Sequence, residues 1–153
     1  MPEFKEQIIT LLQSEFPGRT IDGLICRPDE ARIFCDKLRN VIGSSRLPDV
    51  IPLKSLLNIR KSKSCPTGLK GKGQRRVLAT ELRRIGCGLS PDGFRDVLVN
   101  AHVDMYKDQT VDTMLCHPTE SKGLCDFVRR KTGQDVLTDE FILSTLMNVR
   151  KSQ

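Results

Sequence analysis

Six cysteines, two histidines and a glycine-rich basic run are the residues whose types invite chemistry in this chain. Cys26 and Cys35, and likewise Cys116 and Cys125, fall on a stretch with helical periodicity. At a rise of about 1.5 Å per residue, their Cα atoms stand roughly 10 Å apart or more, beyond the ~7 Å that a disulfide tolerates. No CxxC pair occurs, so a zinc site is not expected, and these four read as small buried hydrophobes. Cys65 and Cys87 lie outside that pattern and are expected to be exposed thiols. Oxidation sensing through either is the least favoured of three function classes.

The remaining candidates for catalysis are weak. His102 and His117 belong to no nucleophile–base–orienter set, and Asp29 and Glu30 sit where a helix start explains them through its dipole. The run GLKGKGQ has the glycines of a phosphate loop but lacks the GK[ST] ending and a preceding strand. The sequence therefore implies a non-enzyme, with no cofactor and no metal.

Charge is the stronger signal. The net charge of +6 is concentrated in one stretch: Arg60, Lys61, Lys63, Lys70, Lys72, Arg75, Arg76, Arg83 and Arg84 stand against the single acid Glu81, leaving the rest of the chain slightly negative. Such a cationic segment attracts polyanions by releasing their counterions. Helix C-termini also collect Lys and Arg, which favour the dipole there. With no Trp, one Tyr and six Phe, stacking on single-stranded bases is not expected. Duplex backbone contact suits the composition better. A helix-turn-helix is not expected either, because the turn from Gly43 to Pro48 is long and Val50, Ile51 and Leu53 offer base edges little.

What must position these residues is an internal repeat. Shifting the sequence by 90 residues aligns 1–62 with 91–152 at 18 identical positions, where average composition would give about three or four. The identities include Cys26/Cys116, Pro28/Pro118, Cys35/Cys125 and Gly43/Gly133, and they end on Asn-x-Arg-Lys-Ser. That ending pairs Asn58, Arg60, Lys61 and Ser62 with Asn148, Arg150, Lys151 and Ser152. Capping of a helix end is the favoured cause; a pair of phosphate-gripping ends is the functional one, adding Arg150 and Lys151 to the candidate polyanion site.

The elements follow from periodicity. Residues 3–16 form a helix with Phe4, Ile8, Leu11, Leu12 and Phe16 inward, echoed by Phe94, Leu98, Ala101 and Met105. Thr20-Ile21-Asp22 and Thr110-Val111-Asp112 suggest short capped turns. Pro28 and Pro118 open the central helices, with Ala31, Phe34, Cys35, Leu38, Val41 and Ile42 inward in the first and a glycine stopping each. Final helices start near Asp49 and Asp139, burying Leu53, Leu56 and Leu57, or Leu143, Leu146 and Met147. Between the repeats, 62–74 reads as a loop. A helix from Gln74 to Ile85 then turns Val77, Leu78, Leu82 and Ile85 inward, with no counterpart ahead of the first repeat.

The expectation is therefore an all-α protein of two tandem homologous helical modules. Residues 1–62 form one repeat, 63–90 a basic glycine-containing loop and connecting helix, and 91–153 the second repeat. No apolar run reaches the ~20 residues needed to span a membrane, and MPEFKEQ is not the pattern of a signal peptide, so a cytoplasmic location is expected. The leading function is a binding module contacting nucleic acid or another polyanion through the basic segment. The alternative is a protein–protein interaction adaptor. Its contact points would be apolar positions such as Phe127, which replaces Lys37, while Gly123 replaces Ile33.

Overall fold

The computed structural model describes residues 4–70 and 77–151, apart from the side chains of Thr67, Arg150 and Lys151. Among the described residues every regular element is helical and no strand occurs. Four helices come first: α1 Phe4–Glu15, α2 Ile21–Ile25, α3 Pro28–Ile42 and α4 Val50–Lys61. A 3₁₀ turn at Thr67–Leu69 and the short α5, Leu78–Arg84, lead into α6 Pro91–Tyr106, α7 Val111–Leu115, α8 Pro118–Thr132 and α9 Asp139–Lys151. The bounds of α2 and α3 recur in α7 and α8 after 90 residues.

Local chemistry accounts for the ends. The Thr20 and Thr110 hydroxyls accept from the backbone N–H groups of Gly23 at 3.0 Å and Thr113 at 3.1 Å, satisfying donors that the first turn leaves open. Ser90 does the same for α6. Pro28 and Pro118 sit in first turns, where the missing N–H costs nothing. Gly43 and Gly133 close α3 and α8 at φ of 77° and 69°, a left-handed conformation that a Cβ disfavours. Pro52 lies in the first turn of α4 and is buried there.

One hydrophobic cluster joins both halves. It contains Ile8, Leu12, Phe34, Leu38, Leu53 and Leu56 from the first, and Leu98, Leu124, Val128, Ile142, Leu143 and Leu146 from the second. The halves meet chiefly along α3 and α8. At the edge of that contact, Arg32 donates to the Thr119 hydroxyl, and Lys122 Nζ lies 3.8 Å from an Asp29 carboxylate oxygen. Residues 29 and 119, and 32 and 122, are 90 positions apart. Exchanging the halves therefore turns one contact into the other. In the same crossed sense, α2 packs on α9 and α4 on α7.

Several expectations need correction. Val41 is 59% exposed rather than inward; at ~100° per residue it falls on the edge of the α3 stripe, and Lys131 holds its place in α8. Val77 is 64% exposed because it precedes α5 in extended backbone. The helix expected from Gln74 begins at Leu78 among the described residues, Gln74 to Arg76 lying outside them. Met105 is exposed, and the neighbouring Tyr106 takes the inward place, its hydroxyl donating to the Glu120 carbonyl at 3.2 Å.

Tyr106 also explains Gly123. A Cβ there would come 3.3 Å from the Tyr106 hydroxyl. In the first half the same positions hold Phe16 and Ile33, and Phe16 packs on Phe34 with ring centroids 6.2 Å apart.

Cys65 and Cys87 also depart from expectation. Both are buried, at 9% and 8% exposure, because Cys65 and Leu69 fold the start of the connecting loop onto the core and Cys87 closes the turn after α5. All six thiols are free and buried. The native chain should react slowly with a thiol reagent at every cysteine and rapidly once denatured. Two sites titrating at once in the native chain would show that Cys65 and Cys87 reach solvent.

Candidate polyanion interface

The basic segment divides into cations used by the fold and cations left in solvent. Arg60, in the last turn of α4, is only 12% exposed. Its guanidinium pairs with Asp22 in α2 and lies 3.6 Å from the Met147 sulfur of α9. It thereby ties three helices, one of them from the other half. Lys61 reaches the same way to Asp112 of α7 at 3.4 Å but stays 56% exposed. Lys63, Lys70 and Arg83 are exposed. Arg84 is exposed too, paired along α5 with Glu81 at 3.0 Å. Lys72, Arg75 and Arg76 lie outside the described residues, as do the side chains of Arg150 and Lys151.

The shared Asn-x-Arg-Lys-Ser ending has several causes. The Ser62 backbone N–H closes α4 on the Ile59 carbonyl at 3.0 Å. Its hydroxyl accepts from Ser64 N at 3.1 Å, which turns the chain. Asn58 is not at the cap but lies along a groove beside α1, as Asn148 does beside α6.

Identities scattered between Cys35 and Asp49 converge on a single device. Arg39 in α3 donates to the Leu47 carbonyl at 2.7 Å and to Asp36 at 2.7 Å, and it pairs with Asp49 at the start of α4. In the second half Arg129 donates to the Leu137 carbonyl at 3.0 Å and to Asp126 at 2.7 Å, and lies 2.8 Å from Asp139. The thiols of Cys35 and Cys125 point at the Asp49 and Asp139 carbonyls, each at 3.9 Å. Lys122 adds a second cation on Asp139 at 2.7 Å. Burial alone would raise the Asp139 carboxyl, but the bonds from Lys122 and Arg129 outweigh it and hold it below the ordinary value.

Reasoning from the sequence finds Asp49 and Asp139 as helix starts and passes over the arginines. A signal for them exists, since Asp36, Arg39, Leu47 and Asp49 are all identical 90 residues on.

Three of the cysteines, Cys35, Cys116 and Cys125, are poor nucleophiles in this setting. Burial, then the Asp49 charge, pushes the Cys35 thiol up to about 12; Cys116 rises to about 11, again by burial first and Asp112 second. Cys125 is shifted the same way. Thiolate, the reactive form, is scarce under these conditions. His117 precedes Pro118 at the start of α8, and no cluster of three His, Cys, Asp or Glu able to hold a metal occurs among the described residues. No described helix is long and apolar enough to cross a membrane.

Phe127 departs from the exposed contact point expected of it. It packs against the core, and Lys131 Nζ covers its ring at 5.7 Å. Apolar residues that do reach solvent include Ile33 and Ile51.

Comparison with known protein families, with curated proteins and with solved structures returned no match.

Removal of Arg60 should act on stability. Truncating it leaves the Asp22 carboxylate without this cation in a partly buried site, so Arg60→Ala should cost about 1–3 kcal/mol in urea unfolding. A variant as stable as the parent would mean that the pair contributes nothing and that Arg60 is kept for another purpose.

Proposed function

We propose that the chain is a non-enzymatic binding module made of two tandem copies of one helical unit, 1–62 and 91–153, joined by 63–90. We further propose that it contacts duplex nucleic acid or another polyanion through the joining segment. Support for the duplication comes from matched helix bounds, paired threonine caps, paired arginine–aspartate networks and contacts that interchange when the halves are exchanged.

The polyanion site rests on one observation. The described cations of the joining segment, Lys63, Lys70, Arg83 and Arg84, are exposed. Among the described residues only Arg84 of these four pairs with an acid, Glu81 on its own helix. Lys72, Arg75 and Arg76 fall between them in sequence and extend the same charge. Lys61 sits at the margin. Arg60 is omitted because its charge is engaged by Asp22; the side chains of Arg150 and Lys151 lie outside those described. Nothing in the exposed set favours base edges over phosphates, so affinity should depend on salt far more than on sequence.

Titrating duplex DNA at low and at moderate salt tests this directly. Binding should weaken steeply with salt. The triple variant Lys63→Ala, Lys70→Ala, Arg83→Ala should flatten the log–log slope by about 0.9 for each phosphate it no longer neutralises, with helicity unchanged. Absence of binding at low salt removes the polyanion function.

A further inference from the structure

The first and last helices of each half leave a groove between them, and the two grooves share lining residues 90 positions apart. Arg95, Thr145, Asn148 and Val149 line the groove between α6 and α9. Lys5, Ser55, Asn58 and Ile59 line that between α1 and α4. Position by position the chemistry is retained: a cation, a hydroxyl, an asparagine and a β-branched aliphatic.

The two grooves differ in what covers them. Leu78 and Glu81 of α5 complete the α6/α9 groove together with Phe141, and α5 packs on α6 with Leu82 turned fully inward. Phe94 is buried in this half and packs on Phe141, ring centroids 5.6 Å apart. At the α1/α4 groove the described lining comes from α1, α4 and Ser62 alone. Phe4, the counterpart of Phe94, lines that groove and is only partly buried. Ile51, which holds the position of Phe141, is 44% exposed where Phe141 is 5%.

We propose that the α1/α4 groove is a docking site for an amphipathic helix of a partner protein, patterned as α5 is. Apolar side chains at its first, fifth and eighth positions would take the places of Leu78, Leu82 and Ile85. A carboxylate at its fourth would take the place of Glu81. Charge favours that acid at the α1/α4 groove: Lys5, in the place of Arg95, is exposed and bonds at 2.9 Å to the neutral Ser64 hydroxyl, whereas in the other groove Arg95 pairs with Asp92 and Glu81 with Arg84. The occupant is a partner rather than a second copy of this chain. Each chain carries one α5 and two such grooves, so exchanging α5 between copies would leave as many grooves open as before. This site borders the start of the joining segment, since Ser62 lines it and Ser64 accepts from Lys5, and it is distinguished from the polyanion surface by what it binds.

The test uses the full chain and a fluorescent peptide of residues 77–86, held helical by a covalent link between the side chains at positions 80 and 84. Saturable binding is expected. Ile51→Glu and Lys5→Glu, both at exposed positions and so checked for unchanged helicity, should each weaken it at least about tenfold. A peptide carrying Glu81→Lys should recover affinity for Lys5→Glu. Failure of the peptide to bind overturns the proposal, as does binding that Ile51→Glu leaves unchanged, which would place the peptide in the α6/α9 groove. Sedimentation as a dimer that Ile51→Glu dissociates would make a second copy the occupant and overturn it equally.

Discussion

A part-buried guanidinium at the bend between two helices ties the geometry of each half. Arg39 and Arg129 are 20% and 19% exposed, and each reaches backward to an aspartate on its own helix and forward to a carbonyl and an aspartate beyond the glycine stop. The forward bonds fix where α4 and α9 begin, and so which of their faces meets the core. Removing one partner of such a part-buried charged hydrogen bond typically costs about 1–3 kcal/mol, because the other group is left unsatisfied. Planar, multidentate donation is also something lysine cannot reproduce.

Given that bend, the rest follows by packing. The central helices α3 and α8 face one another, the final helices reach across to α7 and α2, and the cores merge into one cluster. Arg60 uses charge in the same way: it links α4, α2 and α9 at a helix end where a solvent-exposed lysine would contribute little. Asymmetry enters where the halves meet different neighbours. Tyr106 crosses Gly123 where Phe16 meets Phe34 in the other half, and Phe141 lies beside α5 where Ile51 lies open.

Much of this is legible from residue spacing. Helical class, the proline starts, the glycine stops, the threonine caps and most inward stripes follow from period and turn chemistry, because those are local. Misplacements fall where tertiary contact decides. Val41 lies at a stripe edge that periodicity alone assigns either way. Lying outside the repeat points Cys65 and Cys87 to solvent, yet a loop folded over a core buries its apolar residues regardless of pattern. The role of Arg60 is hidden for a related reason: within a basic run its charge looks like its neighbours', and only the position of Asp22 across the fold separates them. Likewise the two grooves are invisible in one dimension, since each joins the first helix of a half to its last.

The arginine–aspartate pairs that the halves hold in common are thus claimed by the fold, and the proposed binding is left to the exposed cations of the joining segment and to the α1/α4 groove. Double-mutant cycles at Arg39–Asp49 and Arg129–Asp139, measured in parallel by chemical denaturation, test that division most directly. The account predicts favourable coupling of about 1–3 kcal/mol at both pairs. Coupling near zero at either would contradict it.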